Sequence, residues 1–265
     1  MYNIPLSLLN LSVPNMVFET SEGSIIRPIT DHPPIIQNTL WGAFATMNIL
    51  NPGSSFAPVA QINGIKNLPA DGQMQMELMA EYIISLFNQG IVLLALQEVP
   101  PPNSLNAAYL TNKLKKSKLK IETFNSHWLQ TGLHRFGTSL LYKSEQLTLL
   151  KPAQTTLENR IAVFQMSSKE GFSLSIANVH GDFTKQEKTE AFIKQFAGIC
   201  VGDSNINTTA LSPDLDNNNL QSIVVPQVEI EGHQCRFDTV DFFQDKLSRA
   251  VDPFFLPNTA HIVKL

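Results

Sequence analysis

The stretch Ile91, Val92, Leu93, Leu94, Ala95, Leu96 is apolar without a break, and Gln97 and Glu98 follow it directly. It is far shorter than the roughly 18 residues that a membrane-spanning helix needs. A short continuous apolar run bounded by polar residues reads instead as a buried β-strand. The pattern recurs along the chain. Residues 41–50 form a second apolar run, with Asn48 near its end. Residues 172–179 carry apolar side chains at Phe172, Leu174 and Ile176 and run into Asn178, Val179 and His180. Residues 198–201 run into Gly202, Asp203, Ser204 and Asn205. Apolar runs that each stop on polar groups are how rigid sheets present catalytic or binding side chains.

Helices are few and spaced. Met76, Met79, Ala80, Ile83, Ile84 and Phe87 recur at helical spacing and predict a helix over 73–88. Asp71 or Gly72 stands where its N-cap belongs, and Gly90 follows its end. A second helix is expected over 105–119. Its Lys113, Lys115, Lys116 and Lys118 suit the negative end of the helix dipole and read as a solvated face. A third is expected over 187–196, with Ala191, Phe192 and Phe196 inward. Further strands are expected over 138–142, 160–166, 222–228, 237–243 and 261–265. Residues 1–40 carry Pro5, Pro14, Pro28, Pro33 and Pro34 and read as irregular, with short edge pieces at Val17, Phe18, Ile25 and Ile26. Residues 51–72 and 205–220 read as loops. His127, His134 and His233 read as surface or loop residues. No internal repeat and no linker divide the chain. The pattern gives an α/β chain with packed sheets, not a strict β-α-β alternation.

Composition excludes several function classes. Hydrophobic residues make up 43% of the 265 and charged residues 16%. Whole-chain disorder is excluded, because disordered chains are charge-rich and apolar-poor. The formal net charge of −4 argues against a surface that holds nucleic acid by charge alone. Two cysteines, Cys200 and Cys235, exclude a disulfide-framework scaffold and a zinc site built from several thiolates. One bridge and two free thiols both fit, and a core cysteine is an ordinary small apolar residue. The first residues contain Leu6, Leu8, Leu9 and Leu11 but no basic segment and no small-residue cleavage site, so no signal peptide is expected. The expectation is a soluble chain, cytoplasmic or exported without a cleaved signal.

Eight short motifs occur in a telling order. They are Ala45-Thr46-Met47-Asn48, Leu96-Gln97-Glu98-Val99, Gly137-Thr138-Ser139-Leu140-Leu141-Tyr142 and Arg160-Ile161-Ala162-Val163. Then come Ala177-Asn178-Val179-His180, Gly202-Asp203-Ser204-Asn205, Cys235-Arg236-Phe237-Asp238 and Thr259-Ala260-His261. In this order the chain resembles the endonuclease/exonuclease/phosphatase superfamily, over about residues 41–265. The resemblance implies a four-layer α/β sandwich, two packed mixed β-sheets flanked by helices. It also implies one domain over 41–265, with residues 1–40 as an extension packed on it.

The resemblance further implies roles. Glu98 is the principal metal ligand with Asn48 beside it, and the metal is Mg²⁺, with Mn²⁺ or Ca²⁺ as alternatives. Asp203 orients or deprotonates the attacking water. Asn205 holds a phosphate oxygen. His180 and His261 flank the phosphate as donors or acid/base groups. Asp238 assists a metal or orients a histidine. Arg160 binds phosphate or supports the site. These residue types suit phosphate-ester hydrolysis, which needs a positioned water, stabilised phosphoryl oxygens and a helped leaving group. The implied activity is a Mg²⁺-dependent phosphoesterase hydrolysing a phosphodiester, in the manner of an endonuclease. The alternatives are a phosphatase or phospholipase acting on inositol phosphates or phospholipid headgroups, and a binding member without turnover. The last arises because Ala260 stands where the family has an Asp before its final His. The expected partner is thus a phosphate-ester substrate, nucleic acid or lipid headgroup, and the expected state is a monomer.

Overall fold

The structure is a computed structural model. It describes residues 13–20, 23–30, 34–39, 42–49, 72–117, 121–131, 134–156, 160–171, 173–182, 184–196, 198–203, 220–221, 228–230, 233–235 and 240–245. The elements in chain order are β1 (Asn15–Thr20), β2 (Gly23–Pro28), β3 (Ile35–Thr39), β4 (Gly42–Asn48), α1 (Gln73–Asn88), β5 (Ile91–Val99), α2 (Leu105–Lys116) and β6 (Ile121–Thr131). They continue with β7 (His134–Lys143), β8 (Leu147–Thr156), β9 (Ile161–Ser168), β10 (Ser173–His180), α3 (Gln186–Gln195) and β11 (Ile199–Asp203). The last are β12 (Leu220–Gln221), β13 (Val228–Ile230), β14 (His233–Cys235) and β15 (Val240–Asp245).

Two mixed sheets carry the fold. The first runs β3-β4-β5-β7-β6 and the second β12-β15-β11-β10-β9-β8. Each has one parallel pair inside it, β4 with β5 and β10 with β11. A helix lies between the two strands of each parallel pair in the chain, α1 in the first sheet and α3 in the second. A parallel pair needs such a crossover.

Period-two alternation then sorts the side chains into three apolar layers. Ala43, Ala45 and Met47 of β4, with Leu94 and Leu96 of β5, pack under Met76, Met79, Ile83 and Phe87 of α1. From the other face of the same sheet, Phe44, Leu93, Ala95 and Leu140 meet Phe164, Leu174, Ile176, Ile199 and Val201 of the second sheet. On that sheet's outer face Ala177, Val179 and Cys200 pack with Ile193, Phe192 and Phe196. Helices, sheet, sheet, helix is the four-layer sandwich that the resemblance implied. Among the described residues no helix is long and apolar enough to cross a membrane.

Several local expectations change. The described part of residues 1–40 is more regular than its prolines suggest. β1 and β2 form a hairpin, and β3 is the hydrogen-bonded edge strand of the first sheet. His127, His134 and His233, read as surface or loop residues, lie on strands β6, β7 and β14. β8 escapes a sequence reading because Pro152 interrupts it. It is an edge strand whose register shifts on both sides of Lys151, and such strands tolerate proline. Ala191 is exposed on α3, and Thr189 and Ile193 are buried there. The second helix ends at Lys116 and starts on Ser104, whose hydroxyl accepts from the Ala107 amide at 3.1 Å. Of the strand expected over 237–243, residues 240–243 belong to β15 (Val240–Asp245); of that expected over 222–228, only Val228 is described, at the start of β13, and residues 222–227 lie outside the described residues. The strand expected over 261–265 lies outside the described residues.

Candidate active site

The layer between the sheets changes character along its length. On β4 the inward residues run Phe44, Thr46, Asn48. On β10 they run Leu174, Ile176, Asn178, His180, and on β11 Ile199, Val201, Asp203. Each strand is apolar where it starts and polar where it stops. Because β4, β5, β10 and β11 all stop at the same end of the sandwich, their polar termini meet. Ligands in α/β sheets bind outside the carboxyl ends of parallel strands for this reason.

β5 reaches the same place by a different route. Leu94 and Leu96 face the helices, and strict alternation would send Glu98 to that side as well. A β-bulge intervenes. The β5–β7 register shifts between Leu96, opposite Ser139, and Val99, opposite Gly137, so Gln97 and Glu98 together oppose Thr138. Val99 thereby returns to the helix side, and Glu98 is freed to turn inward. Its φ of 52° lies in the left-handed region, the only positive φ among the described non-glycine residues. Strained backbone of this kind collects at functional sites.

Four of the residues singled out in the sequence are brought together here. The Asn48 side-chain nitrogen donates to Glu98 Oε1 at 3.1 Å and to Asp203 Oδ2 at 2.9 Å. His180 Nε2 stands 3.6 Å from the same Glu98 oxygen. Asp203 is 1% exposed and His180 5%. The Thr30 hydroxyl donates to the Asn48 carbonyl at 2.8 Å and ties the start of the chain to the site.

Arg160 sits at the rim. Its guanidinium donates to the Gly181 carbonyl at 3.0 Å and lies 3.7 Å from Asp182. It therefore braces the turn that follows His180. Asp182 accepts from the Thr184 hydroxyl at 2.6 Å and the Thr184 amide at 2.9 Å. The Thr184 hydroxyl bond foremost, opposed by burial and joined by the Thr184 amide and the nearby charges of Arg160 and Lys185, holds the Asp182 carboxyl below its usual range.

Asn205, Asp238 and His261 lie outside the described residues, as does Ala260. Asp241 is placed by register on β15 opposite Gly202, one residue from Asp203. Cys200 packs under α3, and Cys235 lies on β14 of a separate two-stranded sheet.

Beneath the site lies a polar floor that the sequence reading did not assign. Gln97 Nε2 donates to Asn178 Oδ1 at 2.7 Å and to the Thr46 hydroxyl at 3.1 Å. Asn178 Nδ2 donates to the carbonyls of Leu96 and Ser139. Its sequence signal was that Gln97 and Asn178 each stand in one of the ordered motifs, ahead of a site residue on its strand.

The donor set suits a hard divalent cation. Glu98 and Asp203 present carboxylate oxygens around one nitrogen atom, and Mg²⁺ is commonly held by one or two carboxylates with water completing its shell. Two like charges in a half-buried cleft repel unless a cation or a proton intervenes. Asn48 turns its nitrogen, not its oxygen, toward both carboxylates. Among the described residues no three His, Cys, Asp or Glu side chains are grouped as a metal cage.

No protein-family model matches the chain, and no curated protein does. Solved structures are similar to it. One is an endonuclease/exonuclease/phosphatase from Bacteroides vulgatus, 12% identical, over 66% of this chain and 80% of that one, with a TM-score of 0.49. Another is an endonuclease/exonuclease/phosphatase family protein from Leptotrichia buccalis, 14% identical, over 65% and 81%, at 0.46. A third is ANGEL2, a 2',3'-cyclic phosphatase, 13% identical, over 77% and 66%, at 0.46.

Proposed function

We propose that the chain is a divalent-metal-dependent phosphoesterase that hydrolyses a phosphodiester, in the manner of an endonuclease. The observation that carries this reading is the shared Asn48 nitrogen. It draws Glu98 from one sheet and Asp203 from the other to a single point beside His180. Glu98 and Asp203 would hold Mg²⁺, with Mn²⁺ or Ca²⁺ as substitutes, and the metal would supply positive charge to the phosphoryl oxygens. Asn48 spaces the two carboxylates as it stands; ligation through its oxygen needs the amide turned over. Asp203, nearly excluded from solvent, would orient or deprotonate a water. His180 is placed to donate to a phosphoryl oxygen or exchange a proton with it, with Glu98 setting the direction of its ring. Arg160 steadies the turn after His180, and its role toward phosphate is secondary. Asn205, Asp238 and His261 complete the set by resemblance.

The test is a phosphoesterase panel with Mg²⁺ and with chelator. Relaxation of supercoiled plasmid is expected with Mg²⁺ and not with chelator. Glu98→Ala and His261→Ala are each expected to lower the rate at least about a hundredfold while the circular dichroism spectrum is kept. Turnover that persists in both variants overturns the assignment. Release of phosphate from inositol phosphates with plasmid left intact would move the substrate to the phosphatase class. Ala260 favours a second reading, a scaffold that binds phosphate esters without turnover. Under it the natural chain is inert and Ala260→Asp switches hydrolysis on.

A further inference from the structure

The bulge in β5 needs something to hold it, and the opposite sheet supplies it. A bulge breaks the strand ladder locally and deprives backbone groups there of their usual partners. The last regular pair before this break is Leu96 with Ser139. The side-chain amide of Asn178, on β10 of the other sheet, donates to both of their carbonyls, at 3.0 Å and 2.9 Å. Its own carbonyl accepts from Gln97, the first residue of the bulge, at 2.7 Å. Both donors and the acceptor of one buried amide are thus directed at the bulge and the strand paired with it. Asn178 and Gln97 are fully buried, so these bonds meet no competition from water.

We propose that Asn178 is a positioning residue, whose amide clasps the β5 bulge and keeps Glu98 in its left-handed conformation, aimed at Asn48 and His180. A residue with a Cβ adopts that conformation only where its surroundings impose it. Without the clasp β5 regains regular pairing with β7, and Glu98 rotates to the face of Leu94 and Leu96, away from the cleft. The consequence for turnover rests on the phosphoesterase reading; the clasp does not.

The test compares glycine with alanine at position 98. Glu98→Gly and Glu98→Ala both remove the carboxylate, so their difference in stability reports the backbone. Glycine is favoured in the left-handed region and alanine in a regular strand. With Asn178 intact, the unfolding constant of Glu98→Gly from urea titration is expected to be about fivefold smaller than that of Glu98→Ala. In an Asn178→Leu background the order is expected to reverse. An unchanged preference for glycine in that background overturns the proposal. Should Asn178→Leu fail to fold, Gln97→Met removes one arm of the clasp and keeps its volume. The preference for glycine is then expected to shrink at least about twofold, and an unchanged ratio again overturns it. The ¹³Cα shift of Glu98 in the Gln97→Met chain adds a spectroscopic readout. It is expected to move toward strand values, which a purely stabilising role for the clasp would leave in place. None of these measurements uses activity, so a chain with no hydrolase function would still give them, and the two readings fail separately.

Discussion

Gly202, beside the site, has no room for a side chain. Its φ is 137°, and a Cβ built there would lie 2.0 Å from the Val179 carbonyl oxygen and 2.8 Å from the Val179 nitrogen. Both obstacles are backbone, so no rotamer change relieves them. β10 and β11 pair in parallel across this point, with Val179 opposite Gly202 and His180 opposite Asp203. The Gly-Asp pair thus has a physical cause: the glycine lets two strands close, and the closure brings Asp203 level with His180. Gly202→Ala is expected to cost about 3 kcal/mol or more, from the steric and the backbone strain together. Urea titration of the purified variant measures it.

The turn from β10 into α3 depends on pH through Asp182. Its carboxyl is held below the usual range, chiefly by the Thr184 hydroxyl and then by the Thr184 amide and Arg160. A depressed carboxyl binds its proton more weakly when folded than when unfolded. Its stabilisation is therefore complete above roughly pH 5, and it is lost as the pH falls through the lowered folded value. Comparing the chain with Asp182→Asn by thermal melts from neutral to acid pH checks the sign. The gap in melting temperature should be constant near neutrality and close in acid. A gap that widens in acid contradicts the assignment. Because Arg160 bonds the same turn through Gly181, Arg160→Ala is expected to weaken the turn as well, and to remove the Arg160 part of the Asp182 shift.

The middle layer belongs to both sheets, so the sandwich is expected to open as a single cooperative body. Phe44 of the first sheet and Phe164 of the second are both fully buried in it. Phe164→Ala leaves a cavity that neither sheet can close alone and is expected to cost about 3–5 kcal/mol. Hydrogen exchange should then rise together in β4, β5, β10 and β11. Exchange confined to the second sheet would show that the two sheets open independently. At this scale the polar end of the middle layer is a local departure from the apolar core, tolerated because the buried amides of Gln97 and Asn178 bond each other across the gap.

Much of this was legible in residue order. The buried strands, the helix over 73–88 and the polar ends at Asn48, Glu98, His180 and Asp203 follow from patterns that a single segment carries, and the four-layer class was what the family resemblance implied. Alternation and apolar runs are local, so they survive without a structure. Strand β8 was not legible, because Pro152 masks an edge strand that only its pairing defines. Nor was the direction of Glu98, which strict alternation points toward the helices and a register shift against β7 turns inward. The meeting of Asn48 with Asp203 joins residues 155 positions apart, and the bracing of the turn by Arg160 depends on where that turn comes to rest. Register, bulges and contacts between sheets are properties of pairs of segments. The residue types at the site were therefore written in the sequence, whereas their aim was decided by the packing of one sheet on the other.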